Sequence, residues 1–167
     1  MRQLLETSDL VVKVTARGER EAKYRSILTA VTVDEVYKGD ASLLGQKIWV
    51  YEHAEVFLFD DHYTVDTYGG TYNLMQTGAQ YYLLLNFRAM PDGYEYSEQD
   101  LKTWLIVNTY YGKFSVRQNS ALSPLSLEEA NHLDYRKICD WDILPKTEEE
   151  IRDYTDRRED LLHLLDG

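Results

Sequence analysis

The β-branched stretch at residues 24–37 places the strongest constraint on the fold of this chain. Its alternating side chains share one face of a strand, and they are Ile27, Thr29, Val31 and Val33. Val36 is out of phase with them, and a β-bulge between Val33 and Val36 would restore the alternation. A bulge bends a long strand, which lets it serve both halves of a small closed barrel. The sequence therefore predicts a barrel.

Other segments have the composition of strands. They are "DLVVKVTA" (9–16), "QKIWVYE" (46–52), "AEVFLF" (54–59), "QYYLLLNF" (80–87), "TWLIVNT" (103–109) and "KFSVR" (113–117). In the first of them, Leu10, Val12 and Val14 share one face. The last two are predicted to form a hairpin that turns at residues 110–112.

The last quarter of the chain has helical patterns. Ser126 with Glu129 and Thr147 with Glu150 have the spacing of capping boxes. They predict two C-terminal α-helices, one from about residue 127 to 138 and one from about 148 to 165, and we expect the second to dock on its own barrel. The predicted fold is mainly β, a five-stranded antiparallel barrel (about 8–118) with a helical extension (about 126–165), in a single domain of residues 1–167.

The net charge narrows the function classes. The chain has 167 residues and a formal net charge of −11, which opposes the counterion release that drives proteins onto phosphate backbones. We therefore expect no nucleic-acid partner. No apolar run is long enough to span a bilayer, so no membrane span is predicted in this chain. Cys139 is the single cysteine, and we expect a buried, inert thiol.

The order of four segments resembles a known barrel family. The segments are "ETSDLVVKVTA", "VTVDEVYKGD", "GQKIWVYE" and "TGAQYYLLLNF". Together they resemble the oligonucleotide/oligosaccharide-binding (OB) barrels of netrin-like modules and tissue inhibitors of metalloproteinases, and of uncharacterised bacterial cell-surface proteins of that shape. The resemblance implies an OB-like barrel that is secreted or lipid-anchored outside the cytoplasm, with any leader missing from this chain. The inhibitors depend on an N-terminal Cys that this chain lacks, so their mechanism is not implied.

One acidic, tyrosine-rich segment is the candidate binding site. Residues 48–87 contain no Lys or Arg, but they contain five carboxylates and six tyrosines. Within them, the stretch 60–73 is too polar for a core strand and too aromatic for an ordinary solvated loop. Tyrosine rings suit peptide surfaces or sugars, and carboxylates favour cationic groups. The predicted binding residues are Asp60, Asp61, His62, Tyr63, Asp66, Tyr68 and Tyr72.

Two interpretations of this segment remain open at the level of sequence. If it is a recognition surface, Tyr68 and Tyr72 should be at least partly exposed. If it is a long hairpin whose tyrosines pack on the barrel, truncation of those rings should destabilise the fold.

Two function classes also remain open. The favoured hypothesis is a non-catalytic binding or interaction module for a protein, peptide or saccharide. The sequence does not predict its oligomeric state. The alternative is a hydrolase or metal-dependent enzyme that uses His53, His62 and nearby carboxylates. Their spacing matches neither a zinc-binding helix nor an EF-hand loop, so we predict no catalytic residues, no metal site and no cofactor.

Overall fold

The structure of the protein is a computed structural model that describes residues 1–67, 70–117, 122–126, 128–129 and 133–166. Its strands are β1 (Leu10–Lys23), β2 (Ser26–Lys38), β3 (Lys47–Glu52), β4 (Glu55–Phe59), β5 (His62–Asp66), β6 (Gln80–Phe87), β7 (Thr103–Ile106) and β8 (Lys113–Ser115). The α-helices with described bounds are α1 (Arg2–Thr7), α2 (Glu98–Leu101) and α3 (Glu148–Leu165), and the 3-10 helices are Ala41–Leu43 and Tyr135–Lys137. None of the described helices is both long and apolar enough to cross a membrane.

Five of the strands close into a barrel that is consistent with an OB-like barrel. The ring runs from β1 to β2, β3, β7 and β6 and returns to β1. It closes because the first half of β1 pairs with β6 while β1 also pairs with β2. The mainly β, five-stranded barrel predicted from the sequence is confirmed.

One strand pair shows that the prediction of an antiparallel sheet is wrong. β3 and β7 run parallel, with Trp49 opposite Thr103 and Tyr51 opposite Leu105, whereas the other pairs of the ring are antiparallel. Strands in an antiparallel sheet alternate in direction. A closed ring with an odd number of strands cannot alternate all the way round, so at least one pair must be parallel. The sheet is therefore mixed.

The predicted bulge in β2 is confirmed. Lys13 pairs with Glu35 and the next residue, Val14, pairs with Val33, so Asp34 is the extra residue. The Asp34 carboxylate accepts a hydrogen bond from the Thr15 hydroxyl at 2.7 Å. The bulge brings the apolar side chains on both sides of it to the barrel interior.

Alternate residues of the ring fill the barrel interior. Leu10, Val12 and Val14 lie on one face of β1, as predicted, and are fully buried. The other strands of the ring contribute Val31, Val33, Ile48, Val50, Leu83, Leu85 and Ile106. Burial of one such side chain contributes about 1.5–3 kcal/mol, so this interior is a main source of stability.

Helix α3 docks on the outside of its own barrel, as the sequence predicts. Its capping box is present, because the Thr147 hydroxyl accepts from the Glu150 N–H and the Glu150 carboxylate accepts from the Thr147 N–H. Tyr154 and Leu161 are buried. They belong to a second apolar cluster that includes the outward-facing barrel residues Val11 and Leu84, together with Phe114 of β8.

The other predicted C-terminal helix does not extend to residue 138. Its capping box forms, since Ser126 and Glu129 exchange both hydrogen bonds, but Leu133 and Asp134 are not helical. The Asp134 carboxylate instead accepts from the Arg136 N–H and starts a 3-10 helix. Leu127 and Ala130, on the predicted apolar stripe, lie outside the described residues. In the part of the chain that the structure describes, one long helix follows the barrel rather than two.

Two local predictions are wrong. β7 and β8 do not pair with each other in a hairpin, because each pairs with β6 instead. Cys139 is half-buried rather than buried. Its neighbour Ile138 occupies the core position at 3% exposed, while the Cys139 thiol lies 3.5 Å from the carbonyl oxygen of Arg136.

Candidate functional site

A separate hairpin carries most of the predicted site. β4 and β5 pair antiparallel and form a sheet of their own, with Phe59 opposite His62. The loop between them is Asp60–Asp61, and Asp60 has a φ of +53°. Aspartate tolerates this left-handed region because its short polar side chain can hydrogen-bond locally. Of the two interpretations of residues 60–73, the structure forms a hairpin with β5 as its second strand, but Tyr63 on that strand is exposed and not packed on the barrel.

The tip of the hairpin combines apolar and acidic groups. Leu58 and Tyr63 lie directly opposite each other and are 62% and 60% exposed. Phe57 points to the other face of β4 and is also exposed. The side chain of Asp61 in the loop is almost fully exposed. An apolar cross-strand pair therefore lies in solvent next to carboxylates.

Tyr72 is separated from the rest of the predicted site. The hairpin holds Asp60, Asp61, His62, Tyr63 and Asp66, and Tyr68 lies outside the described residues. Tyr72 is only 2% exposed, and its hydroxyl donates to Glu52 Oε2 at 2.9 Å. A β-bridge to Ile143 holds this part of the chain inside. A ring this deeply buried cannot stack on a partner, so Tyr72 is a core residue and not part of an exposed surface.

His62, the first residue of β5, contacts both the acidic loop and the opposite strand of the hairpin. Its Nδ1 lies 3.1 Å from Oδ1 of Asp61, and its ring meets Phe59 edge-on with centroids 6.0 Å apart. The hydrogen bond with His62 lowers the pKa of the Asp61 carboxyl. Nε2 of His62 is buried and has no hydrogen-bond partner within the described ranges. The loop carboxylate therefore stays negative to lower pH than an ordinary aspartate.

The two histidines of the enzymatic alternative have different partners. Nε2 of His53 lies 2.8 Å from the carbonyl oxygen of Ile106, and its ring meets Tyr72 edge-on. A carbonyl oxygen only accepts, so Nε2 of His53 carries the proton. Among the residues that the structure describes, no group of three or more His, Cys, Asp or Glu side chains could hold a metal ion.

A buried polar cluster inside the barrel was not predicted. Glu52 is fully buried. Its carboxylate accepts hydrogen bonds from the hydroxyls of Thr29 and Tyr72 and from the Met75 N–H. The guanidinium of Arg20 lies 3.9 Å from it and donates to the Met75 carbonyl. Three donors and a nearby cation thus compensate a charge that would otherwise be costly to bury.

Lys113 brings a second charge into the same interior. It is 3% exposed, and its Nζ donates to the carbonyl oxygens of Asn73 at 2.6 Å and Asp142 at 3.1 Å. The ammonium also lies over the rings of Tyr72 and Tyr81, 4.6 and 5.1 Å from their centroids. Burial lowers the pKa of Lys113 to about 8. This network connects β8 with the segments that contain residues 73 and 142.

We expect the stability of the fold to rise between about pH 8 and about pH 10 because of Lys113. The folded pKa is about 8, whereas the ordinary value is 10.5. Between these values the unfolded chain binds more protons, so the free energy of unfolding increases with pH. Above this window the trend should reverse, because burial raises the pKa of Tyr72 and the unfolded chain then loses its phenolic protons first.

Urea denaturation at a series of pH values measures this effect. The variant Lys113→Met removes the titrating group and should lose the rise. A rise of equal size in wild type and variant would contradict the assignment to Lys113.

No protein-family model matches this chain, and no curated protein matches it either. The fold therefore agrees with the resemblance to netrin-like modules as far as a closed, OB-like barrel. Because one barrel fold hosts many unrelated functions, the function has to be argued from the site itself.

Proposed function

We propose that this chain is a non-catalytic interaction module that binds cationic polypeptide segments through the β4–β5 hairpin. The observation that carries the proposal is the exposed pair of Leu58 and Tyr63 at a carboxylate-bearing tip. Exposed apolar side chains often mark an interaction surface when they cluster and have charged groups around them. Scattered ones do so less often. Tyrosine also supplies contact area at low entropic cost.

The charge of the surroundings supports a cationic partner. Residues 48–87 contain no Lys or Arg, and the loop places Asp60 and Asp61 next to the apolar pair. The neighbouring 3-10 helix brings the cation of Arg136 towards Asp61, but that guanidinium is paired with Asp134. Complementary charge accelerates association and suppresses wrong partners. Tyr63 is the only tyrosine of the predicted site whose ring is exposed in the part of the chain that the structure describes. Leu58 opposite this ring offers no hydrogen-bonding group to sugar hydroxyls, so a polypeptide partner is better supported than a saccharide.

We further propose that the barrel is of the netrin-like OB type and that the module is presented outside the cytoplasm. The order of strands in the closed ring supports this assignment, together with the segment order seen in the sequence. In this setting the acidic hairpin would face cationic segments of extracytoplasmic proteins. The gene sequence upstream of Met1 tests the location, because a leader ending in a lipid-attachment Cys is expected.

A peptide pair tests the proposed function. The probes are a labelled decapeptide of alternating Lys and Val and its charge-reversed counterpart of alternating Glu and Val. Fluorescence anisotropy should show at least about tenfold tighter binding of the Lys peptide, and the affinity should fall as salt is added.

Matched variants locate the binding on the hairpin. The double change Leu58→Ser with Tyr63→Ser should weaken binding of the Lys peptide about tenfold or more. Tyr24→Ser alters a tyrosine that is 91% exposed elsewhere, at the turn between β1 and β2, and should leave binding unchanged. Equal affinity for the two peptides, or full affinity in the double variant, would overturn the proposal.

A further inference from the structure

Among the described residues β4 has a strand partner on one side only, and we infer that a cationic extended segment of a partner binds along its other edge as a third strand. The inference rests on the proposed function and adds the mode of binding. β4 and β5 form a sheet of only two strands, which is separate from the barrel sheet. An exposed strand edge presents N–H and C=O groups that can pair with another chain.

The two edges of the hairpin differ in exposure. Successive residues of a strand point to opposite faces. On β5, the successive residues Thr64 and Val65 are 1% and 7% exposed, and the 3-10 helix Tyr135–Lys137 lies next to this strand. On β4, the successive residues Phe57 and Leu58 are 40% and 62% exposed. β5 is therefore covered on both faces away from the tip, although Tyr63 at the tip is exposed. β4 exposes one side chain on each face, while its Val56 packs against the core.

β4 lacks three of the features that protect edge strands, namely Lys, Pro and a bulge. Its sequence, "EVFLF", contains no Lys and no Pro, and its register with β5 has no bulge. Natural proteins use these devices to prevent unwanted strand pairing. In an antiparallel ladder, each strand directs the backbone groups of alternate residues away from its partner. β4 thus directs the backbone groups of alternate residues away from β5, beside the exposed side chains of Phe57 and Leu58.

Charge favours a basic segment over a second copy of the chain. Pairing two β4 edges would bring Glu55 and the loop carboxylates of both copies together, and each copy carries a net charge of −11. Like charges opposite each other destabilise a strand pair. In strand addition the main chain supplies affinity and alternate side chains supply specificity. A segment that alternates Lys or Arg with β-branched residues fits both the carboxylates and the exposed apolar groups.

Two N-methylated peptides test the inference. Both are the Lys–Val decapeptide, one methylated at the backbone nitrogen of every Lys and the other at that of every Val. An added strand directs the N–H groups of only one residue class toward β4, so the two peptides should differ in affinity by about tenfold or more. They carry the same charge and the same number of methyl groups, so each is a control for the other.

Hydrogen exchange provides a second measurement. With saturating unmethylated peptide, backbone amides within Glu55–Phe59 should exchange at least about tenfold more slowly. The exchange rates of amides within His62–Asp66 should change little. If the unmethylated peptide binds but the methylated pair bind equally and β4 gains no protection, the added strand is refuted and the proposed function survives. If no peptide binds, both fail. Dimerisation of the free chain with protection of β4, seen by sedimentation and exchange, would make a second copy the occupant and overturn the inference.

Discussion

Replacing Glu52 by alanine is expected to lower the free energy of unfolding by about 3–5 kcal/mol, the usual loss when one member of a buried charged network is removed. The hydroxyls of Thr29 and Tyr72 and the Met75 N–H all lose their acceptor. Each buried donor left without a partner costs about 1–3 kcal/mol, and these costs are not additive. Arg20 also loses its nearest carboxylate. Urea denaturation at neutral pH measures the change as a shift of the midpoint.

Two further variants show that the effect belongs to the buried network. Glu98→Ala removes a carboxylate whose side chain is 86% exposed, and it should change stability by no more than about 0.5 kcal/mol. Glu52→Gln keeps the size of the side chain but exchanges one acceptor oxygen for an amide donor that faces other donors. The loss of stability in Glu52→Gln should lie between the losses in Glu52→Ala and Glu98→Ala. The network would have no energetic role if Glu52→Ala were as mild as Glu98→Ala.

The barrel was predictable because its determinants are local. The alternation of Leu10, Val12 and Val14 and the phase change between Val33 and Val36 each require only a few neighbouring residues. Strand pairing is different, because it depends on residues far apart in the chain. The parallel pair of β3 and β7 brings Trp49 to Thr103, and no local pattern specifies that contact.

The helical region illustrates competition between local patterns. The capping box at Ser126 forms as predicted, but a second short-range motif at Asp134 captures the backbone N–H of Arg136. The two motifs each satisfy their own backbone groups. The sequence pattern predicts the first motif but not the second, so the predicted helix extends through Asp134.

The candidate site was predicted in part for a related reason. Charge and tyrosine content identify the hairpin, but they do not separate exposed from buried rings. Glu52 shares the inward face of β3 with Ile48 and Val50. The alternation of side chains along this strand could therefore have predicted that its carboxylate is buried. Lys113 had no such pattern, since its acceptors lie 40 and 29 residues away in sequence.

Tyr72→Ala should cost about 3–5 kcal/mol, the usual loss for deleting a buried large side chain. It removes a ring that packs in the core, the hydroxyl that donates to Glu52, and the aromatic face below the Lys113 ammonium. Tyr72→Phe keeps the ring and loses only the hydrogen bond to a charged acceptor, so a smaller loss of about 1.5–3 kcal/mol is expected.

Tyr63→Ala is the matched control, because it deletes the same side chain from the exposed hairpin. Its effect on stability should stay within about 0.5 kcal/mol, while its affinity for the Lys–Val peptide should fall. Thermal and urea unfolding of the three variants, read together with peptide binding, separate the two roles of tyrosine in this segment. If Tyr72→Ala proved as mild as Tyr63→Ala, the ring would have no core role. If Tyr63→Ala unfolded the protein, the hairpin tyrosine would itself be a packing residue, and the exposed surface proposed for binding would lose its aromatic member.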